Sequence, residues 1–358
     1  MNHLALTDPH CTSHQPRARL DNFSEAIFKK LDEVAKICKE NKVEIVLIAG
    51  DMFDYPYQAY RILIKLYFKL KKIKENLSGP KLILCVYGQH DLWFHRLEEA
   101  VDTTALGALV RLGVVKILTD DPLKFKYKGE RIHYYGSSYG EPIPQIKDVT
   151  ATNVLVIHKM IAPRQPFKTA VEGKDYESPE VLYSKDWFDL VVCGDWHQQF
   201  YWRSKANTHI INPGALARKT GGYEDYDRHP TVVLWDSRDN EIDEILLESA
   251  KPSEEVLTKA HLETIVKHTE KMKNFCERLR AGGSSLGPGY LRNLARQLSE
   301  LKDKRVITKG VESKILEAIE HSNYKQMLNM ELENEIQRGK GESSKKGHIK
   351  VRIFRKRN

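Results

Sequence analysis

Five apolar, strand-like runs between Leu4 and Cys193 each end on a cluster of acidic, imidazole or amide side chains, and that coincidence limits the possible folds more than any other feature of the chain. Leu4-Ala5-Leu6-Thr7 leads into Asp8-Pro9-His10, and residues 43–48 lead into Gly50-Asp51-Met52-Phe53-Asp54. Residues 81–87 lead into Gly88-Gln89-His90-Asp91, residues 154–157 into His158, and residues 190–193 into Gly194-Asp195-Trp196-His197. One Asp-x-His would be an ordinary surface turn. Five clusters in succession put polar groups along one sheet edge, at the carboxyl ends of strands, where open α/β folds hold their sites.

The segments between the runs have a different rhythm. Residues 22–41 carry Phe23, Ile27, Leu31, Val34, Ala35 and Cys38, a stripe of period about 3.6 that predicts an amphipathic helix. Residues 59–76 predict a second helix, and further strands are expected at 114–118, 124–127, 131–135, 208–212 and 231–235. Strands and helices alternate early, and short-linked strands dominate later. The combination predicts an α/β protein of two stacked mixed β-sheets flanked by helices.

After about residue 250 the character changes. Ser253-Glu254-Glu255 opens a helix candidate over 253–280. Residues 281–289 are rich in breakers, and 290–303 and 311–336 are again helical in pattern. The expected organisation is a site-bearing domain at 1–250, a helical extension at 251–337 and a basic tail at 338–358. The extension either packs on a core of its own or against the first domain, or serves as a docking arm for a partner. The tail holds nine basic residues against one acid, Glu342, and so accounts for the whole net charge of +8. Such a tail is either an electrostatic footprint for nucleic acid or another anionic partner, or a solubilising, partly disordered end.

Five scattered cysteines without a CxxC pair point to a reducing, cytoplasmic setting and away from a thiolate metal site. No apolar run approaches the roughly 20 residues that span a bilayer, and Met1–His10 lacks the pattern of a signal peptide. A membrane partner is not expected.

The clusters offer only carboxylates, imidazoles and an amide, a donor set that suits Mn²⁺, Fe²⁺ or Zn²⁺. Their order, D-x-H, G-D-x-x-D, G-Q-H-D, isolated H and G-D-x-H, resembles that of the calcineurin-like metallophosphoesterases. Within that superfamily the chain is most similar to the nuclease branch of SbcD and its homologues, DNA repair and recombination nucleases that partner an SMC-like ATPase. The likeness covers about residues 1–240 and takes in Asn212-Pro213-Gly214-Ala215.

The resemblance implies a four-layer sandwich and two divalent metal ions, Mn²⁺ foremost, with Fe²⁺, Mg²⁺ and Zn²⁺ as alternatives. Asp8, His10, Asp51 and His197 would hold the first ion. Asp51 would bridge to a second, held also by Gln89, His158 and Asp195. His90 would stand beside the scissile bond, with Asp91 either orienting it or capping a turn. Asp54 is either a support for His10 or a surface acid. Arg218 and Lys219, just past the Asn-Pro-Gly turn, are candidates for substrate phosphate contact.

Two positions depart from the pattern: Gln89 stands where the family has asparagine, and Asp195 where it has the first histidine of its last motif. Both can still coordinate, and the added negative charge favours a hard cation such as Mn²⁺ or Mg²⁺. The alternative is a weakened second site. The function implied is two-metal phosphodiester hydrolysis by a DNA exo- or endonuclease subunit, homodimeric and working with an SMC-like ATPase. A phosphatase or small-molecule phosphodiesterase of the same fold, and a non-catalytic scaffold, are the competing readings.

Overall fold

The structure is a computed structural model, and it describes residues 1–163, 176–179, 182, 188–204, 207–220 and 223–258. The chain divides into two units, Met1–Glu263 and Thr264–Asn358. Everything described belongs to the first unit. The helical extension beyond residue 258 and the basic tail lie outside the described residues.

The first sheet contains β1 (Asn2–Leu6), β2 (Ile45–Ile48), β3 (Leu82–Cys85), β4 (Lys116–Ile117), β11 (Thr231–Asp236) and β12 (Glu241–Leu246), in the order β12-β11-β1-β2-β3-β4. The second contains β5 (Leu123–Tyr127), β6 (Glu130–Ser137), β7 (Thr152–His158), β8 (Leu190–Gly194), β9 (Phe200–Arg203) and β10 (His209–Asn212), in the order β5-β6-β7-β8-β10-β9. Both are mixed. β1 to β4 run parallel, with β11 and β12 added antiparallel. β6, β7, β8 and β10 run parallel, with β5 and β9 antiparallel at the edges. The expected pair of stacked mixed sheets flanked by helices is the architecture of the described part of the first unit.

Period-two alternation sorts the side chains into layers. Leu4, Leu6, Val46, Ile48, Ile83 and Cys85 face α1 (Phe23–Glu40), α2 (Tyr60–Asn76) and the short helix Ala105–Arg111. Their neighbours Ala5, Ile45, Leu47 and Leu84 point the other way and meet Ile132, Tyr134, Val154, Val156 and Val192 of the second sheet. Tyr135, Leu155, Ile157 and Val191 form the far face, packed on Leu182 and Phe188. Each such Phe, Leu or Ile contributes about 1.5–3 kcal/mol on leaving water. α1 begins where Asn22 accepts a hydrogen bond from Glu25 N at 3.0 Å, a side-chain cap on otherwise unpaired amides. It buries the predicted stripe from Phe23 to Cys38.

Two details correct the sequence expectations. The parallel strands that carry the clusters belong to two sheets, so the site lies on the common edge of a sandwich rather than on one sheet. The helix expected from Ser253 is a single turn, Ser253–Val256, with Pro252 at the N-cap. The backbone is extended at Leu257 (φ −121°, ψ 138°), which bridges to Arg19, so helix does not continue from that turn.

Candidate metal centre

The loops that leave β1, β2, β3, β7 and β8 converge, and their backbone is unusual. Asp8 (φ 48°), His10 (φ 46°), Asp51 (φ 47°) and Asp195 (φ 81°) all occupy the left-handed region. Residues with a Cβ adopt it at a cost of about 1–2 kcal/mol each, which surrounding bonds must offset. His10 N donates to Asp51 O at 3.0 Å and Cys11 N to Met52 O at 2.9 Å, tying the first loop to the second. Asp91 ties the second to the third: its buried carboxylate accepts from Met52 N, Phe53 N and Gly88 N at 3.2, 3.0 and 3.0 Å. Asp91 is thus the turn-capping acid of the two readings offered above. The Nδ1 of His90 lies instead 3.2 Å from the carbonyl oxygen of Asp54.

Three ligand sets emerge among the described residues, with donor atoms within 4.8 Å of one another: Asp8, His10 and His197; Asp8, Asp51 and His158; and His10, Asp51 and His90. His10 and His197 aim their Nε2 atoms at each other across 3.0 Å. Asp51 lies at the centre, with Oδ2 3.7 Å from His10 Nε2 and Oδ1 3.6 Å from His158 Nε2. His158 Nδ1 sits 2.7 Å from the carbonyl oxygen of Ala49. A carbonyl only accepts, so Nδ1 carries the hydrogen and Nε2 presents its lone pair inward. That lone pair meets Gln89 Oε1 at 2.7 Å. Gln89 Nε2 in turn donates to Asp195 Oδ1 at 2.8 Å.

Several observations fit this donor set to divalent cations. Oδ2 of Asp51 is buried and finds no hydrogen-bond partner among the described residues. His158 Nε2 and Gln89 Oε1, two acceptors at 2.7 Å, are compatible when they share a cation. The electrostatics agree. Burial, with Asp51 adding to it, pushes the Asp8 carboxyl up to about 8. Asp51 is raised well above the usual carboxylate range by burial and by Asp91. Burial pulls His10 down to about 4 and His197 well below its ordinary value. Carboxylates that resist ionisation and imidazoles that resist protonation are held together here, and a bound cation favours the deprotonated form of both.

Supporting residues fill in around the donors. Thr7 Oγ1 lies 2.7 Å from Asp8 Oδ2, and a polar residue closing the run before Asp8 was the overlooked signal for it. Asp54 is buried, not a surface acid, and its Oδ1 is 3.4 Å from His10 Nδ1. Burial opposes its ionisation, but hydrogen bonds from His10 and Lys219 outweigh it and hold the carboxyl at about 2. Lys219 Nζ bonds Asp54 Oδ1. Its neighbour Arg218 does not join the site. Arg218 is 3% exposed, donates through Nη1 to Ser253 Oγ at 2.5 Å and through Nη2 to Lys251 O. Sequence reading also passed over four exposed rings in the loops after β2 and β3: Tyr55, Tyr57, Trp93 and Phe94, the last 86% exposed with φ 50°.

Gly88 shows how tightly the centre is packed, since a Cβ there would stand 2.0 Å from Asp51 Oδ1.

Among solved structures, the chain is similar to a novel archaeal phosphodiesterase, with 16% identity over 69% of this chain and 100% of that one and a TM-score of 0.35. It is similar to the protein TT1561 of Thermus thermophilus, with 11% identity over 69% and 99% of the two chains and a TM-score of 0.42. Zinc-complexed Vps29 from Entamoeba histolytica gives 11% identity over 69% and 100% and a TM-score of 0.32. No match was found among curated proteins. The family model of the calcineurin-like phosphoesterase superfamily domain matches residues 1–240, well over half of the 358 residues, and the chain belongs to that superfamily.

Proposed function

We propose that the chain is a two-cation phosphodiester hydrolase acting on DNA, with Mn²⁺ as its metal. The convergence of Asp8, His10, Asp51, His158 and His197 on common points carries this reading. Asp8, His10, Asp51 and His197 would hold one ion, and Asp51, His158 and Gln89 would face the other. When bound, such ions neutralise charge on the phosphate and make water acidic enough to react near neutral pH.

The chain's own groups supply the rest. Asp51 Oδ1 is fixed by the amide of His90 at 2.9 Å, which leaves Oδ2 for the shared position. His90 is 41% exposed at its side chain, with Nδ1 anchored on Asp54 O and Nε2 3.9 Å from Asp51 Oδ2. Burial and then the Lys219 charge hold its pKa below the ordinary imidazole value. The free site therefore favours a neutral ring, and the charge of an arriving phosphodiester draws a proton onto Nε2. From there it can pass to the leaving oxygen.

Two features favour a nucleic acid over a small ester. The exposed rings of Tyr55, Tyr57, Trp93 and Phe94 follow the second and third clusters, where they can stack on bases of a strand bound across the site. The chain's +8 net charge favours a polyanion. The SMC-like ATPase and the homodimer implied by the resemblance are carried forward as part of this proposal. No described helix is long and apolar enough to cross a membrane.

The test is Mn²⁺-dependent hydrolysis of single- and double-stranded DNA, with bis-p-nitrophenyl phosphate and Asp51→Ala as controls. DNA degradation abolished by Asp51→Ala supports the reading. Cleavage of the small ester alone replaces it with a small-molecule phosphodiesterase. Unchanged cleavage in Asp51→Ala sinks the shared mechanism.

A further inference from the structure

The two departures from the family pattern, Gln89 and Asp195, are bonded to each other. Gln89 bridges the second-cation position: Oε1 lies 2.7 Å from His158 Nε2, and Nε2 donates to Asp195 Oδ1 at 2.8 Å. An amide can be turned end for end, and its partners decide which atom faces which way. Turned over, Gln89 would offer its nitrogen to the lone pair of His158 and its oxygen to a carboxylate that cannot donate. The Asp195 carboxylate therefore opposes the flipped state and holds the oxygen, the end that can ligate, toward the cation. Asp195 itself joins none of the three convergent ligand sets among the described residues. Its backbone, at φ 81°, places its N–H 3.3 Å from both Asp8 carboxylate oxygens, so both ends of the residue serve neighbours in the site.

We propose that Asp195 is a positioning residue, which sets the orientation of Gln89 and thereby the affinity of the second cation site, and that Gln89 and Asp195 act as one unit. Neither change marks decay of the site. The longer amide extends past the cation position and needs an acceptor at its far end, and Asp195 supplies one. This rests on the two-cation reading above and makes Gln89, His158 and Asp51 the donors of the second site.

The experiment is a double-mutant cycle read by calorimetric titration of the metal-free full-length chain with Mn²⁺. It uses Asp195→Asn, Gln89→Ala and the double variant, each checked for folding by thermal melting. The unaltered chain is expected to show two sites. Asparagine can donate to a flipped Gln89, so Asp195→Asn weakens the second site by about ten- to a hundredfold, as loss of a partner that orients a ligand does. The first site keeps its affinity. Gln89→Ala weakens the second site at least as much, and adding Asp195→Asn to Gln89→Ala costs nothing further. Additive losses would show that Asp195 ligates the ion directly and would overturn the proposal. An unchanged second site in Asp195→Asn, or a single site in the unaltered chain, would overturn it too. Should the asparagine variant not fold, Asp195→Ser enters the same cycle with the same expectations. Failure of the hydrolase reading looks different, since it leaves both sites and the coupling intact without turnover.

Discussion

Lys219 bonds the Asp54 carboxylate through its Nζ, and the same Asp54 oxygen stands 3.4 Å from Nδ1 of His10. The carbonyl of Asp54 meanwhile takes Nδ1 of His90 at 3.2 Å. One lysine on the loop after β10 thus reaches a candidate ligand and a candidate acid through a single residue. Replacing Lys219 with methionine frees Asp54 and removes a positive charge that lowers the His90 pKa. The His90 pKa should rise, and turnover should fall by about tenfold as His10 loses its orientation. Carbon-detected titration of the histidine rings checks the first claim. A His90 titration that does not move would show that Lys219 acts on substrate alone.

Gly88 has a different job from an exposed glycine. A methyl group at Gly88 would meet Asp51 Oδ1 at 2.0 Å, whereas one at Gly113 would meet nothing within 4 Å. Gly88→Ala should therefore push Asp51 off its position and abolish Mn²⁺ binding. Gly113 has φ 68°, so Gly113→Ala should cost only the left-handed strain of about 1–2 kcal/mol and leave metal binding unchanged. Calorimetry and urea unfolding on the two variants would expose the contrast, and equal metal affinity in both would refute it.

Much of this fold was legible because buried parallel strands are written as apolar runs, and the residues that follow them are written as chemistry. β1, β2, β3, β7 and β8 all overlap such runs. Of the four edge strands, β4 and β5 fall in segments the sequence marks, whereas β9 and β12 do not. Glu241–Leu246 interleaves acids with isoleucines and stays largely exposed, so it has no apolar run to read. The candidate donors were legible from type and spacing; of their support, Asp54 and Asp91 were legible only as open alternatives and Thr7 not at all. Thr7, Asp54 and Asp91 act through backbone and side-chain bonds between loops some 40 residues apart in sequence, such as Phe53 N to Asp91 Oδ1. Spacing along one chain does not encode those. The same limit hid the partnership of Gln89 with Asp195, which are 106 residues apart.

Arg218 shows that limit most directly. A basic residue beside Lys219 looked suited to a phosphate, yet its guanidinium is buried against Ser253 and Lys251, while its own carbonyl accepts from Arg19 Nη1 at 2.7 Å. Arg218→Met should destabilise the domain by about 1–3 kcal/mol, from groups left unpaired in the interior. Turnover per folded molecule should stay within about twofold. Urea unfolding alongside an active-site-normalised assay decides the matter, and full stability with lost activity would restore the phosphate role.

The pH dependence of the metal-free chain follows from Asp8 and Asp51. Asp8 in the fold has its pKa pushed up to about 8 from an ordinary 3.8, and Asp51 is shifted the same way. Between those values the folded chain keeps protons that the unfolded chain releases, so stability falls as pH rises. His10, pulled down to about 4, and His197, pulled the same way, work in the opposite sense below the ordinary imidazole value of 6.5. Above 6.5 the carboxylate effect stands alone. The melting temperature of metal-free protein should therefore drop between about pH 6.5 and 8, and Asp8→Asn should flatten that drop. Mn²⁺ displaces the same protons, so its stabilisation should be larger at the upper end of the window. Calorimetric titration in two buffers of different ionisation enthalpy would register the released protons. Mn²⁺ binding without proton release there would mean that Asp8 and Asp51 are already ionised before the metal arrives, and that burial is not what tunes this site.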